Sequence, residues 1–323
     1  MDDLFANIVE AHAAVRPHVR YTPLDRSPAL SALTGCDVWL KCEHTQPTGS
    51  FKVRGATNKI RKLGDRARAR GVITASTGNH GQAAAHAGSI AGVAVTVYVS
   101  AVTAPIKIDA IRARGARVVI VDGPPIDAEL QARQAAAAQD IPYISPYNDP
   151  DVMAGQGTLG MELAEQAPDL DAVFISVGGG GLIGGTGTAL KQKGSRARVV
   201  GVWPENSPCM LRALEAGRII DVEESPTLSD GTAGAVEPGS VTFPVCQSVI
   251  DATVTVTEAE IAAALRHIAA AEHWIVEGAA AVALAGLIKG ASAWRDRKVA
   301  VVLCGRNIAL EQFLAVMCNN RQP

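Results

Sequence analysis

The sequence predicts an α/β fold in which doubly wound, mostly parallel sheets are covered by helices on both faces. From about residue 70 onward, short β-branched runs alternate with Ala-rich stretches of helical periodicity, the pattern of strands joined by helical crossovers. Hydrophobic residues make up 48% of the chain and charged residues 19%, so apolar material for cores is ample and charge is too sparse for disorder. At roughly 100–200 residues per domain, the 323-residue length predicts two domains rather than one.

Taken in order, a strand is expected at Asp37–Cys42, followed by a segment at 48–55 that opens a helix. Further strands are expected at Val72–Ala75, Val95–Val99, Arg117–Val121, Tyr143–Ser145, Ala172–Val177, Val199–Val202, Thr253–Val256 and Val299–Leu303, where β-branched and apolar residues concentrate. Helical periodicity marks Ile106–Arg114, Asp127–Gln139, Met161–Glu165 and Ile261–Glu272, the last opened by a capping box of Thr257 and Glu260. The basic stretch Lys59–Arg70 reads as a solvated helix face at the crossing into a second lobe. Pro146–Gly157 marks the return crossing. Glu223–Phe243, rich in Ser, Thr, Gly and Pro, reads as a loop near the site.

Charge and cysteine usage narrow the function classes. Lys plus Arg total 30 and Asp plus Glu 32, a balance that argues against nucleic acid or an anionic membrane as partner. The start is acidic and lacks the basic and apolar regions of a secretory signal, and the longest uncharged apolar stretch, near Gly278–Ile288, is far short of a membrane span. The six cysteines form no C-x-x-C and no zinc-ligand spacing, so they read as reduced thiols of a cytoplasmic protein, with no metal site expected.

Four clusters carry chemistry. Thr48 to Gly55 sets Lys52 beside Phe51, where partial desolvation lowers an amine's pKa and favours covalent carbonyl chemistry; a surface lysine in a first helical turn is the plain alternative. Ser76-Thr77-Gly78-Asn79-His80 follows a strand and precedes an Ala-rich helix, either a cradle for a carboxylate or a simple turn and N-cap. Gly178-Gly179-Gly180-Gly181 exposes amide donors that can wrap a phosphate. Gly179, Gly181 and Gly184, with Glu205 downstream, also match a dinucleotide fingerprint, but a dehydrogenase would leave Lys52 and Asn79 without a role. Cys304 to Asn307 ends the last strand. The last three clusters sit at the carboxyl ends of expected strands, where open α/β sheets bind ligands.

Together with Ala154-Gly155-Gln156-Gly157-Thr158 and Glu277-Gly278-Ala279, these clusters closely resemble the fold type II (tryptophan synthase beta-like) family of pyridoxal phosphate enzymes, in its serine/threonine dehydratase and serine racemase branch. The resemblance implies pyridoxal 5'-phosphate as cofactor, held covalently by Lys52, with Phe51 against its ring and Asn79 on its phenolate oxygen. It implies that Gly178, Gly179, Gly180 and Gly181 bind the phosphate. Cys304 would meet the pyridine nitrogen, with Glu277 near that edge. Ser76, Thr77, Asn79 and His80 would take the substrate carboxylate. It also implies a large cofactor-binding domain of residues 1–70 and 149–323, a small mobile domain of residues 71–148, and a homodimer or homotetramer.

The reaction so implied is β-elimination of water from a hydroxyamino acid, with Lys52 as base for the α-proton and an oxo acid and ammonia as products. A serine-type racemase with dehydratase side activity is the alternative, since Thr77 brings a hydroxyl to the face opposite Lys52. A non-catalytic pyridoxal phosphate carrier is a further one. Trp203 and Cys209 replace the carboxylates that serve as metal ligands in the racemase branch, so no dependence on Mg²⁺ or Ca²⁺ is expected. Thr77, Trp203 and Arg306 together resemble the hydroxyectoine-utilisation dehydratase subgroup.

Overall fold

A computed structural model describes residues 2–76 and 78–318, and in it two sheets share one chain. The nine strands are β1 (Leu24–Arg26), β2 (Asp37–Lys41), β3 (Val72–Ala75), β4 (Val95–Ser100), β5 (Arg117–Val121), β6 (Ala172–Ser176), β7 (Arg198–Pro204), β8 (Ala252–Val256) and β9 (Lys298–Val302). The larger sheet has the order β1-β2-β9-β6-β7-β8 and the smaller β3-β4-β5. Every pairing is parallel except β1 with β2. Central strands are apolar almost throughout because helices cover both faces; every residue of β6 is buried. The smaller sheet has its own core, in which Val95, Val97 and Val99 of β4 pack with Ala83, Ala84 and Ile111 of adjoining helices.

Two sequence expectations need correction. Tyr143–Ser145 forms a single parallel bridge, Ile73 to Tyr143, rather than a strand. Pro142 and Pro146 flank the segment and supply no N–H to extend a ladder. Conversely, a helix of Pro150–Gln166 begins inside the segment expected to be a crossing, capped by Asp149, whose carboxylate accepts from the backbone N–H groups of Asp151 and Val152. Its glycines look unfavourable for helix in isolation but permit contact: a Cβ on Gly155 would lie 2.6 Å from the Cα of Gly55. That crossing fixes the Lys52–Arg61 helix. The edge strand β1 is short, polar and largely exposed, so its Leu-Asp-Arg sequence gives no periodic signal.

Beneath the Lys52 segment lies a fully buried ionic network. Arg54 donates in bidentate fashion to Glu43 (2.8 Å and 2.8 Å) and to Glu162 (2.7 Å), and Lys41 Nζ reaches the second oxygen of Glu162 at 2.6 Å. Two cations and two carboxylates thus neutralise each other out of water, a stable arrangement only while complete. Arg54→Met should cost about 3–5 kcal/mol, read as a lower denaturant midpoint, because it leaves two buried carboxylates sharing one lysine. Among the described residues, no helix is long and apolar enough to cross a membrane.

Candidate active site

The carboxyl ends of β3, β6 and β9 open onto one cavity of about 630 Å³ between the two sheets. Phe51, Lys52, Ser76, Asn79, His80, Gly178 to Gly181, Glu277 and Cys304 all line it. Thr77 lies outside the described residues. The loop from Glu224 to Gly234 closes one side, and Tyr147 another.

Lys52 is half-buried at the start of its helix, with Nζ donating to the Pro146 carbonyl at 2.9 Å and lying 5.2 Å from the Phe51 ring centroid. Burial lowers its pKa to about 8, against the opposing pull of Cys304 and Glu277. An appreciable fraction is therefore neutral amine near physiological pH.

Close approach and backbone conformation require glycine at the first three of the four positions. A Cβ on Gly179 would sit 2.3 Å from the Tyr147 ring, and one on Gly178 would sit 2.9 Å from the Thr232 carbonyl oxygen. Gly180 adopts φ 86°, a left-handed conformation that favours glycine, and opens the helix Gly181–Gln192. The result is a bare backbone loop at the positive end of a helix, suited to a phosphate.

Across the cavity, Glu277 ties the start of the Asn79–Ala91 helix to the segment that follows β9. Its oxygens accept from Asn79 Nδ2 at 2.7 and 3.0 Å and from the Asn307 backbone N–H at 3.0 Å. Asn307 Nδ2 in turn donates to Asn79 Oδ1 (2.5 Å) and to the Thr48 carbonyl (2.9 Å). Burial pushes the Glu277 carboxyl up to about 7, with Asp230 adding to the rise and the Asn79 and Asn307 hydrogen bonds opposing it. A raised carboxyl means the folded state binds more protons than the unfolded one between about pH 4.5 and 7, so this group's contribution to stability falls as pH rises through that window. Relative to Glu277→Gln, the wild-type apoprotein should lose on the order of 2–3 kcal/mol of stability from pH 5 to 8, a comparison that cancels the buried His44 and His80, whose lowered pKa values act in the opposite direction.

Cys304 is buried, with Sγ 3.6 Å from Ser176 Oγ and 4.0 Å from Glu277 Oε1. Burial first, then the Glu277 charge, raise its pKa, so it is a neutral thiol. His80 also lines the cavity, but its ring is buried: Nε2 meets the Ile144 carbonyl at 3.2 Å, and burial lowers its pKa to about 3. It is a neutral ring turned toward backbone and brings no positive charge to a substrate carboxylate.

Other residues singled out in the sequence fall outside the cavity lining. Arg306 is exposed and lies over Gly49. Trp203 is fully buried in β7, and Cys209 is buried at the start of the Cys209–Ala216 helix. Glu205, the acidic residue a dinucleotide would need, pairs with Lys289 at 3.5 Å. Sequence reasoning passed over Tyr147, Lys107 and Asp230, whose roles in the walls have no motif to mark them.

A family profile described as pyridoxal-phosphate dependent enzyme matches residues 15–305. An L-threonine ammonia-lyase of Thermotoga maritima is 39% identical, covering 94% of this chain and 75% of its own length. A beta-hydroxyaspartate dehydratase of Paracoccus denitrificans is 33% identical over 96% of this chain and 98% of its own. The processed form of threonine deaminase isoform 2 from Solanum lycopersicum superposes with a TM-score of 0.95 at 34% identity, covering 99% of this chain and 94% of that one.

Proposed function

The chain belongs to the pyridoxal-phosphate dependent enzyme family, and we propose that it is a dehydratase of the ammonia-lyase type acting on a hydroxyamino acid. The observation that carries this reading is a half-buried amine of pKa about 8 facing, in one cavity, a four-glycine helix entrance and a neutral thiol.

The residues present fit the cofactor. Lys52 would hold it covalently through Nζ, with Phe51 against its ring. The amides of Gly178 to Gly181 would take the phosphate on the bare backbone loop at the helix entrance. Asn79 would serve the ring oxygen, and Cys304 the ring nitrogen with Glu277 alongside. When bound, pyridoxal phosphate supplies the electron sink for the α-carbon.

The chain's own groups supply the rest. Asn79 and His80 open the helix Asn79–Ala91, whose first backbone N–H groups favour a substrate carboxylate, with the Ser76 side chain beside them and Thr77 expected to join them. Lys52 Nζ, set free, is a base whose pKa suits removal of the α-proton at neutral pH. Loss of the β-hydroxyl as water, followed by hydrolysis, yields an oxo acid and ammonia with no net oxidation. The separate β3-β4-β5 sheet supports a small domain of residues 71–148 that moves over this site. Similarity to an L-threonine ammonia-lyase and a beta-hydroxyaspartate dehydratase favours elimination over the racemase reading.

The substrate reading rests on the cavity walls, since Arg306 and Trp203 of the hydroxyectoine resemblance lie outside them. The test is a panel of serine, threonine, 3-hydroxyaspartate and a hydroxylated ectoine-derived compound, assayed with and without chelator for oxo-acid formation and for loss of chirality. Oxo-acid formation insensitive to chelator is expected. Loss of chirality without oxo acid would replace the dehydratase reading with the racemase one.

A further inference from the structure

Lys107 stands on the helix Pro105–Arg112 that follows β4, and Asp230 on the irregular loop of the large lobe. Both line the cavity, and Lys107 Nζ lies 3.1 Å from Asp230 Oδ2, with side chains 26% and 53% exposed. The pair stands beside Glu277: a Cβ on the next residue, Gly231, would be 3.5 Å from Glu277 Oε1. The ammonium groups among the described lining residues are Lys52 and Lys107; the carboxylates are Glu224, Asp230 and Glu277. Glu224 already accepts from Ser207 Oγ and the Gly234 N–H, and Glu277 from Asn79 and Asn307.

We propose that Asp230 determines substrate selectivity by occupying Lys107, the cation that a second carboxylate on the substrate would use. The site then favours hydroxyamino acids with uncharged side chains and disfavours those of the 3-hydroxyaspartate type. This rests on the dehydratase reading above and names its substrate class. A dicarboxylic substrate has two options, and both are unfavourable. It displaces Asp230, leaving that carboxylate unpaired beside Glu277, or it stays away from Lys107 in a wall where carboxylates outnumber ammonium groups. Either way like charges are brought together, so discrimination comes from repulsion as well as from contact. An uncharged side chain leaves the pair intact.

The experiment uses the holoenzyme and its Asp230→Asn, Lys107→Gln and double variants. It measures kcat/KM for L-threonine and for 3-hydroxyaspartate, and calorimetric binding of malonate, a dicarboxylate without the reacting amine. Wild type should prefer threonine at least tenfold. Asp230→Asn should shift the preference toward 3-hydroxyaspartate by about tenfold, through KM, and tighten malonate by about tenfold. Adding Lys107→Gln should erase both gains. A shift below about twofold in both measurements, or gains that survive Lys107→Gln, overturns the proposal. If wild type forms oxo acid from no member of the hydroxyamino acid panel above, the dehydratase reading fails, while the malonate series still decides the charge argument.

Discussion

Lys52→Ala is expected to lower turnover by at least about 10³-fold and to remove the visible absorption of the purified protein. Both effects follow from one atom. Nζ is the amine best placed to hold the cofactor, and it is also the base with a pKa of about 8 that the cavity offers to the α-proton. Lys107 lines the same cavity but is held by Asp230, so it is no ready substitute. His80 is neutral, with its ring turned to the Ile144 carbonyl. The variant should still fold, since Lys52 contributes one hydrogen bond, to Pro146, and stands apart from the Arg54 network. Phosphate should still bind at the glycine loop, which keeps the loss of turnover separate from loss of the fold. A variant that retains turnover within tenfold would show that Lys52 is not the central group.

How much of this was legible in the sequence depends on the kind of signal. Parallel strands leave dense β-branched runs, even at the edges where β5 and β8 are only partly buried, so β3 and β5 are read to the residue, and β6, β7, β8 and β9 to within a residue or two at each end. The clusters at strand ends were legible because glycines and short polar residues cannot be explained by core packing. Contact between Asn79 and Glu277, 198 residues apart, was not legible as such, because no local pattern encodes which carboxylate meets which amide across two lobes. The same holds for Lys107 and Asp230. The start of the Pro150–Gln166 helix is not legible because its glycines oppose helix locally, while the reason for them, a neighbouring helix that a Cβ on Gly155 would meet at 2.6 Å, is tertiary. Arg306, one of the residues of the hydroxyectoine resemblance, is exposed and outside the cavity lining, which its place in the sequence two residues after Cys304 does not reveal.

Cys304→Asp should slow elimination by about 10²-fold, whereas Cys304→Ser should keep most of it, and the contrast tests why a thiol stands at the end of β9. The thiol is neutral because it is buried and because Glu277 Oε1 lies 4.0 Å away. A neutral partner would offer the ring nitrogen of bound pyridoxal phosphate at most a weak hydrogen bond, so the nitrogen would keep little positive charge and the ring would be a shallow sink. Such a site would suit a reaction in which a β-hydroxyl departs at once. An aspartate would add a carboxyl beside Glu277 in a buried site. Two carboxyls so close share a proton and titrate as a pair, so near neutral pH the site would carry a negative charge facing the nitrogen. That charge would hold the nitrogen protonated, deepen the sink and give the α-carbon time to regain a proton on either face. Racemisation of L-serine should therefore rise relative to oxo-acid formation in the aspartate variant, a change that simple damage to the site would not produce. The serine variant keeps a neutral hydroxyl near Ser176 and should keep the wild-type ratio. Should serine prove as impaired as aspartate, with the ratio unchanged in both, the thiol acts through its size or polarisability, and neutrality is not what selects elimination.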